Sequence, residues 1–232
     1  MAGDFVARGS IVRTIWGDPD LVLLIFAGSA AEFALNRAVD WLFFTGRIPA
    51  DPLGRLFSTV HYAQRIIFTS AEEAQRTLAS INAAHERVEG QRGQRIPEWA
   101  HRDVLYMLID QTQRAYELLC RPLNAAERED LYASFLQVGR GLNVRELPST
   151  YAEWQRDREV HLRRDLANSD FTKRLYEQYR RHLGPWRHWI LLQVQGVLVA
   201  EPVRELLRLN RQRVLLGTSM RIYAWIRALG LQ

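Results

Sequence analysis

Ser70-Ala71-Glu72-Glu73, followed after a short polar run by Ile81-Asn82-Ala83-Ala84-His85-Glu86-Arg87-Val88-Glu89-Gly90, reads as one helix. The Ser70 hydroxyl at the cap and a carboxylate three residues on form a capping box, which satisfies N–H groups that a helix start leaves open. Gly-Gln-Arg-Gly-Gln-Arg-Ile-Pro over residues 90–97 is a loop. Within the helix His85 lies among Ile81, Ala84 and Val88, so its ring projects from a partly apolar face.

The same signals recur in both directions. Upstream, Gly17-Asp18-Pro19 is a helix start, with Asp18 as the cap and Pro19 at the first helical position. Leu21, Leu24, Ile25, Phe26 and Phe33 follow at the spacing of a buried helix. Thr45-Gly46-Arg47-Ile48-Pro49-Ala50-Asp51-Pro52 is a turn-rich connector that feeds a helix over about residues 53–68. Downstream, residues 98–119 carry Val104, Leu105, Leu108, Ile109 and Ala115 at core spacing. Asn124 with Glu127, and Thr150 with Glu153, are further caps, and Ser169 or Asp170 opens another helix that Gly184-Pro185 breaks. Helices over 186–200 and from Val203 to about Leu229 complete the set. No segment alternates with period two between hairpin turns. The expectation is an all-α fold of one multi-helix domain.

The chain has 232 residues, 47% of them apolar and 25% charged, enough to bury a substantial core. The formal charge of +5 comes almost wholly from arginine, Lys173 being the only lysine. Acids interleave the arginines, as in Trp154-Gln155-Arg156-Asp157-Arg158-Glu159, which reads as a solvated helix face and argues against a nucleic-acid partner. The exception is the C-terminus, where Arg204, Arg208, Arg211, Arg213, Arg221 and Arg227 alternate with apolar residues. That basic amphipathic pattern suits packing against another subunit or a peripheral membrane contact. Cys120 is the sole cysteine, so neither a disulfide framework nor a thiolate metal site is expected. No charged start with a long apolar core follows Met1, and the run over residues 21–31 is interrupted by Gly28 and Ser29 at about half the ~20 residues a span needs. The default expectation is a cytoplasmic protein.

Zincin, nucleophile-elbow and phosphate-loop patterns are missing from the sequence, and no pair of Glu-x-x-His di-iron motifs occurs. What remains is chemistry that needs a single histidine. A b-type haem requires one axial imidazole, an apolar slot and a few polar groups. His85 could be that imidazole, and Arg55 and Thr59, one turn apart on the preceding helix, could serve a propionate and a bound ligand. On the residues alone, a surface or satisfied core histidine is the commoner use of such a position.

Resemblance adds to this. Asp51-Pro52-Leu53-Gly54-Arg55-Leu56-Phe57-Ser58-Thr59, then Phe68-Thr69-Ser70-Ala71-Glu72-Glu73-Ala74, then the His85 block, resemble successive blocks of one family. It is the family of the latex-clearing proteins (rubber oxygenases) and the membrane-associated oxygenase of mycophenolate biosynthesis. The likeness continues through Trp99, Asp110, Tyr116, the stretch Arg121-Pro122-Leu123-Asn124-Ala125-Ala126-Glu127-Arg128-Glu129 and the block Leu147-Pro148-Ser149-Thr150-Tyr151-Ala152-Glu153-Trp154. It spans about residues 16–207, leaving 1–15 as an N-terminal extension and 208–232 as a C-terminal basic amphipathic helix.

The resemblance implies a globin-like core and haem b, with His85 as the iron ligand and Arg55 and Thr59 in the haem pocket. It further implies molecular oxygen and an apolar, isoprenoid-type substrate whose double bond is oxidised or cleaved. An acid upstream of Arg55 would be the base; Glu32 is carried forward in that role, Asp40 reading equally as a helix cap. Two positions depart from the family pattern. Ser58 stands where rubber-cleaving members can carry a ligating lysine, and Ala27-Gly28-Ser29-Ala30-Ala31-Glu32-Phe33 stands where many have a His-Pro pair. Those departures motivate an alternative, a haem- or lipid-binding helical protein without the oxygenase chemistry.

Overall fold

The computed structural model describes residues 3–44 and 52–209, the side chains of Leu42 and of residues 52–57 excepted. Among the described residues it is all helix, joined by turns and two isolated bridges, Asp4 with Ser70 and Asn36 with Leu166.

The local signals act where the sequence puts them. Ser10 caps α1 (Ile11–Trp16), and Asp130 accepts from both the Ser10 hydroxyl (2.8 Å) and the Ile11 N–H (2.9 Å). Asp18 accepts from Asp20 and Leu21 to start α2 (Pro19–Leu35) with Pro19 at its first position. After the short α3 (Asp40–Phe44) come α4 (Pro52–Ile67) and α5 (Ala71–Arg92), the latter capped by the Ser70 hydroxyl, which accepts from Glu73 N–H. Next are α6 (Glu98–Leu119) and α7 (Ala125–Gly141), whose Asn124–Glu127 capping box is complete on both sides. Thr150 caps α8 (Tyr151–Arg164), Ser169 caps α9 (Asp170–Leu198), and α10 (Glu201–Leu207) follows.

Helix α2 is apolar around most of its circumference, the mark of a central helix. It packs chiefly on α6 and α9 and also meets α1 and α10. Contact with α6 is close at Gly28, where a Cβ would overlap Gln111 Oε1 and press on Leu198. The main core runs from Trp16, Ile25 and Phe26 through Tyr106 and Ile109 to Leu131, Phe135 and Trp154. Trp16 meets Phe26 edge-on at 6.0 Å between ring centroids, and Trp154 sits among Tyr106, Tyr132 and Tyr151. On the flank, α4 packs along α5, and α5 reaches α7, with Asn82 Nδ2 donating to Gly141 O at 3.0 Å.

Two expectations need correction. The expected helix from Val203 is interrupted early: α10 ends at Leu207, and Arg208 takes a left-handed backbone (φ 53°) with its N–H turned back to Arg204 and Glu205, while the rest of that expected helix, after residue 209, lies outside the described residues. Helix α8 is not a solvated face throughout, because Arg158 and His161 are 4% and 2% exposed. A third detail refines the break at Gly184-Pro185. Gly184 has φ 74°, and the two arms of α9 fold back on each other, Tyr176 O–H donating to Gln195 Oε1 at 2.9 Å.

Candidate functional site

Helix α5 buries Ala74, Thr77 and Leu78 near its start; from Ile81 onward its residues are half-buried or exposed. His85 lies on this second half, itself half-buried, with Ile81 and Val88 one turn to either side. The chain reverses at Gly93, whose φ of 69° suits a residue without Cβ. Glu89 Oε1 accepts from Ile96 N–H at 2.8 Å and holds the connection to α6. His101, as far beyond Gly93 as His85 is before it, therefore returns alongside: the two rings lie 5.0 Å apart, tilted by 48°. Burial pushes the His101 imidazole below its ordinary pKa, with Glu98 and Glu89 only partly opposing. It is neutral at neutral pH.

Two turns further along the same face of α5, about 10 Å up the axis, is Arg92. It donates to Asp40 Oδ2 at 2.6 Å and lies over the Trp41 ring, 4.0 Å from its centroid. Asp40, Phe43, Phe44, Arg92, Gln94 and Phe171 line an open cleft of about 430 Å³. So the face of α5 that carries His85 leads to an aromatic-walled opening. Thr59 is exposed on the neighbouring α4, while the Arg55 side chain lies outside the described ones.

Glu32 has a different setting. It is 2% exposed, on α2, and accepts from Arg158 Nη2 of α8 at 2.5 Å. The same Nη2 reaches Asp110 Oδ2 of α6 at 3.2 Å, and Asp110 also accepts from Arg114 Nε at 2.8 Å. Burial raises the Glu32 carboxyl; Arg158 lowers it only in part, and Asp110 and Asp103 add repulsion. Burial acts on Asp110 too, but the pull of Arg114 and Arg158 together outweighs it, and Asp110 is held below the ordinary aspartate value.

One turn on from Arg158, the His161 Nδ1 contacts Asp103 Oδ1 and lies 2.7 Å from Asp165 Oδ2. Asn36 Nδ2 donates to the other Asp103 oxygen at 3.2 Å. Arg164 forks onto both oxygens of Asp165 at 2.8 and 2.7 Å. Tyr106 donates to Asp157 at 2.7 Å and presents its ring edge to His161. Burial raises the Asp103 carboxyl against the His161 contact. The donor atoms of Asp103, His161 and Asp165 fall within 4.8 Å of one another, a spacing that a metal ion could bridge with a nitrogen and two carboxylate oxygens. Arg164 already brings a positive charge to that point.

The predicted site residues thus divide. His85 faces His101 across the α5–α6 turn, and Glu32 belongs to a buried ionic network shared by α2, α6 and α8. Helix α6 is common to both, carrying His101, Asp103 and Asp110. Reasoning on the sequence missed the pairing of His101 with His85, and of the network residues it gave a role to Glu32 alone, Asp110 entering only as part of the family likeness. A signal for some was present: Arg158, His161 and Asp165 are spaced to share one face of α8 and its cap, and Asp103 and Asp110 are two turns apart.

These features define a helical protein with a half-buried histidine pair, an aromatic cleft further along the same helix, and a buried ionic network. The chain belongs to the ER-bound oxygenase mpaB/B′/rubber oxygenase family: the catalytic domain of that family matches residues 15–228. No curated protein and no solved structure matches it.

Proposed function

We propose that the protein is a haem b-dependent oxygenase that uses molecular oxygen to oxidise or cleave a carbon–carbon double bond in an apolar substrate of isoprenoid type. What carries the reading is the family match over nearly the whole chain, with a half-buried His85 on the open half of α5. The residues fit the group. A half-buried imidazole with Ile81 and Val88 one turn to either side offers a nitrogen donor on a partly apolar face. When bound, haem would supply oxygen activation.

The chain's own residues then have separate tasks. His85 would hold the iron, and the neutral His101 ring packed against it would fix its orientation. Arg55 and Thr59 on α4, which packs along α5, would serve a propionate and the oxygen substrate. Glu32 is assigned the role of base toward an allylic carbon. Its raised carboxyl moves toward the range a general base needs, and its bond to Arg158 ties that role to the position of α8. The Phe43, Phe44 and Phe171 walls give an apolar chain a surface to lie on.

Expression with haem supply tests this directly. The purified protein should show a Soret band that shifts on reduction under carbon monoxide, and His85→Ala should lose it. A colourless wild type, or equal haem in His85→Ala, overturns the reading. Oxygen uptake with polyisoprene or terpenoid alkenes then separates an oxygenase from a haem-binding module that lacks the chemistry. A second reading, favoured by the Asp103–His161–Asp165 convergence, places a non-haem metal there instead. It predicts metal by elemental analysis in a protein without a Soret band, lost in Asp165→Asn and kept in His85→Ala.

A further inference from the structure

Residues 12 and 19 apart in a straight helix are separated by about 18 and 28 Å along its axis. In α9 they touch: the Tyr176 ring meets that of His188, with 6.3 Å between centroids, and Tyr176 bonds Gln195. Helix α9 is therefore a helical hairpin with Gly184-Pro185 at its tip. The second arm is anchored to the body, Gln195 Nε2 donating to Ala27 O of α2 at 2.9 Å.

The tip presents unusual surface. Trp186 is 67% exposed, Trp189 46% and Ile190 38%, and the two indoles stack at 5.2 Å with planes 15° apart. Large apolar groups so exposed, side by side, mark an interaction surface more often than chance. Arg180, Arg181 and Arg187 beside them are also exposed, and no acid occurs in the chain from residue 178 to 200. Burial lowers the His188 pKa and the Arg180 charge lowers it further, so Arg180 on the first arm lies near His188 on the second.

Tryptophan with arginine is the pairing found at the headgroup level of bilayers, the indole dipping below it and the guanidinium staying with phosphate. A convex tip offers little area to a rigid protein face, whereas headgroups close around it. No described helix is long and apolar enough to cross a membrane, so the contact is interfacial. We propose that the α9 hairpin tip, residues 180–190, docks the protein onto an anionic lipid surface. This stands independently of haem binding. It also moves a membrane contact from the C-terminal segment, whose residues after 209 lie outside the described ones, to the middle of α9.

The test uses the full chain and vesicles of phosphatidylcholine with or without phosphatidylglycerol. Wild type should co-sediment with the anionic vesicles alone and less at high salt, and lipids brominated along the acyl chain should quench its tryptophan fluorescence. Trp186→Ser/Trp189→Ser should weaken binding about tenfold and remove most of the quenching. The triple Arg180→Gln/Arg181→Gln/Arg187→Gln variant should lose the anionic preference, about fivefold per arginine. Trp186→Ser alone, at the most exposed position, covers the case in which the double variant does not fold. Three results overturn the proposal. One is wild type failing to bind either vesicle. A second is undiminished binding by folded tip variants, with loss in Arg213→Gln/Arg221→Gln/Arg227→Gln. The third is a wild-type dimer that the tip variants turn into a monomer with no vesicle binding.

Discussion

Arg158 commits one guanidinium nitrogen to two buried carboxylates on two other helices. Such an arrangement stabilises little relative to a well-packed apolar one, but removing one member leaves charges stranded. Arg158→Met should therefore cost about 3–5 kcal/mol, a fall in melting temperature of about 10 °C for a chain of this size, measurable by calorimetry. The carboxylates also set a pH dependence. Because the folded Glu32 carboxyl is raised above its ordinary value of 4.5, the folded state holds a proton that the unfolded state has lost across that window. Stability accordingly declines as pH rises through it. Asp110, held below 3.8, acts in the opposite sense, and its contribution disappears as pH falls beneath that value. Glu32→Gln should make the decline above pH 4.5 shallower and leave the acid limb in place. It should not become flat, since Asp103 is also raised. Urea unfolding at a series of pH values reads both limbs.

At the level of elements, helix starts follow local chemistry and helix contacts do not. The Asn124–Glu127 box and the Asp18, Thr150 and Ser169 caps are all legible from residue type and spacing, because a cap bonds within its own first turn. Asn124→Ala should cost about 1 kcal/mol of stability. Gly28 is another matter. Alanine in a helix interior gains about 0.5–1 kcal/mol over glycine, yet here its Cβ would strike Gln111 Oε1, and Gln111, fully buried, would have to shift inside the core. Overpacking costs about 1–3 kcal/mol, so the clash wins. Gly28→Ala should melt lower than wild type, where an open helical position would melt higher. The resemblance that singled out His85 belongs to this scale as well, being carried by short contiguous blocks. His101 had no such block. It becomes a neighbour of His85 only because the chain turns at Gly93.

For the molecule as a whole, protection against exchange should be graded. Amides of α2 and α6, which share the core, should exchange only on global unfolding, and those from Ile81 to Arg92 should exchange through local opening, since that half of α5 buries no side chain fully. Under the proposed function, haem added to the protein should slow exchange over that stretch in wild type and not in His85→Ala. Mass spectrometry of peptic peptides resolves the two regions. The amino-acid order by itself determined the all-α class, most helix boundaries and the histidine on which the family resemblance centres. Each of these depends on interactions spanning a turn or two of chain. Tertiary structure alone decided that Arg158 and His161 are core residues and not a solvated face. Their partners Glu32 and Asp103 lie 126 and 58 positions away. Whether a charge on a helix meets water or a carboxylate depends on which other helix covers it, and spacing along one helix carries no record of that.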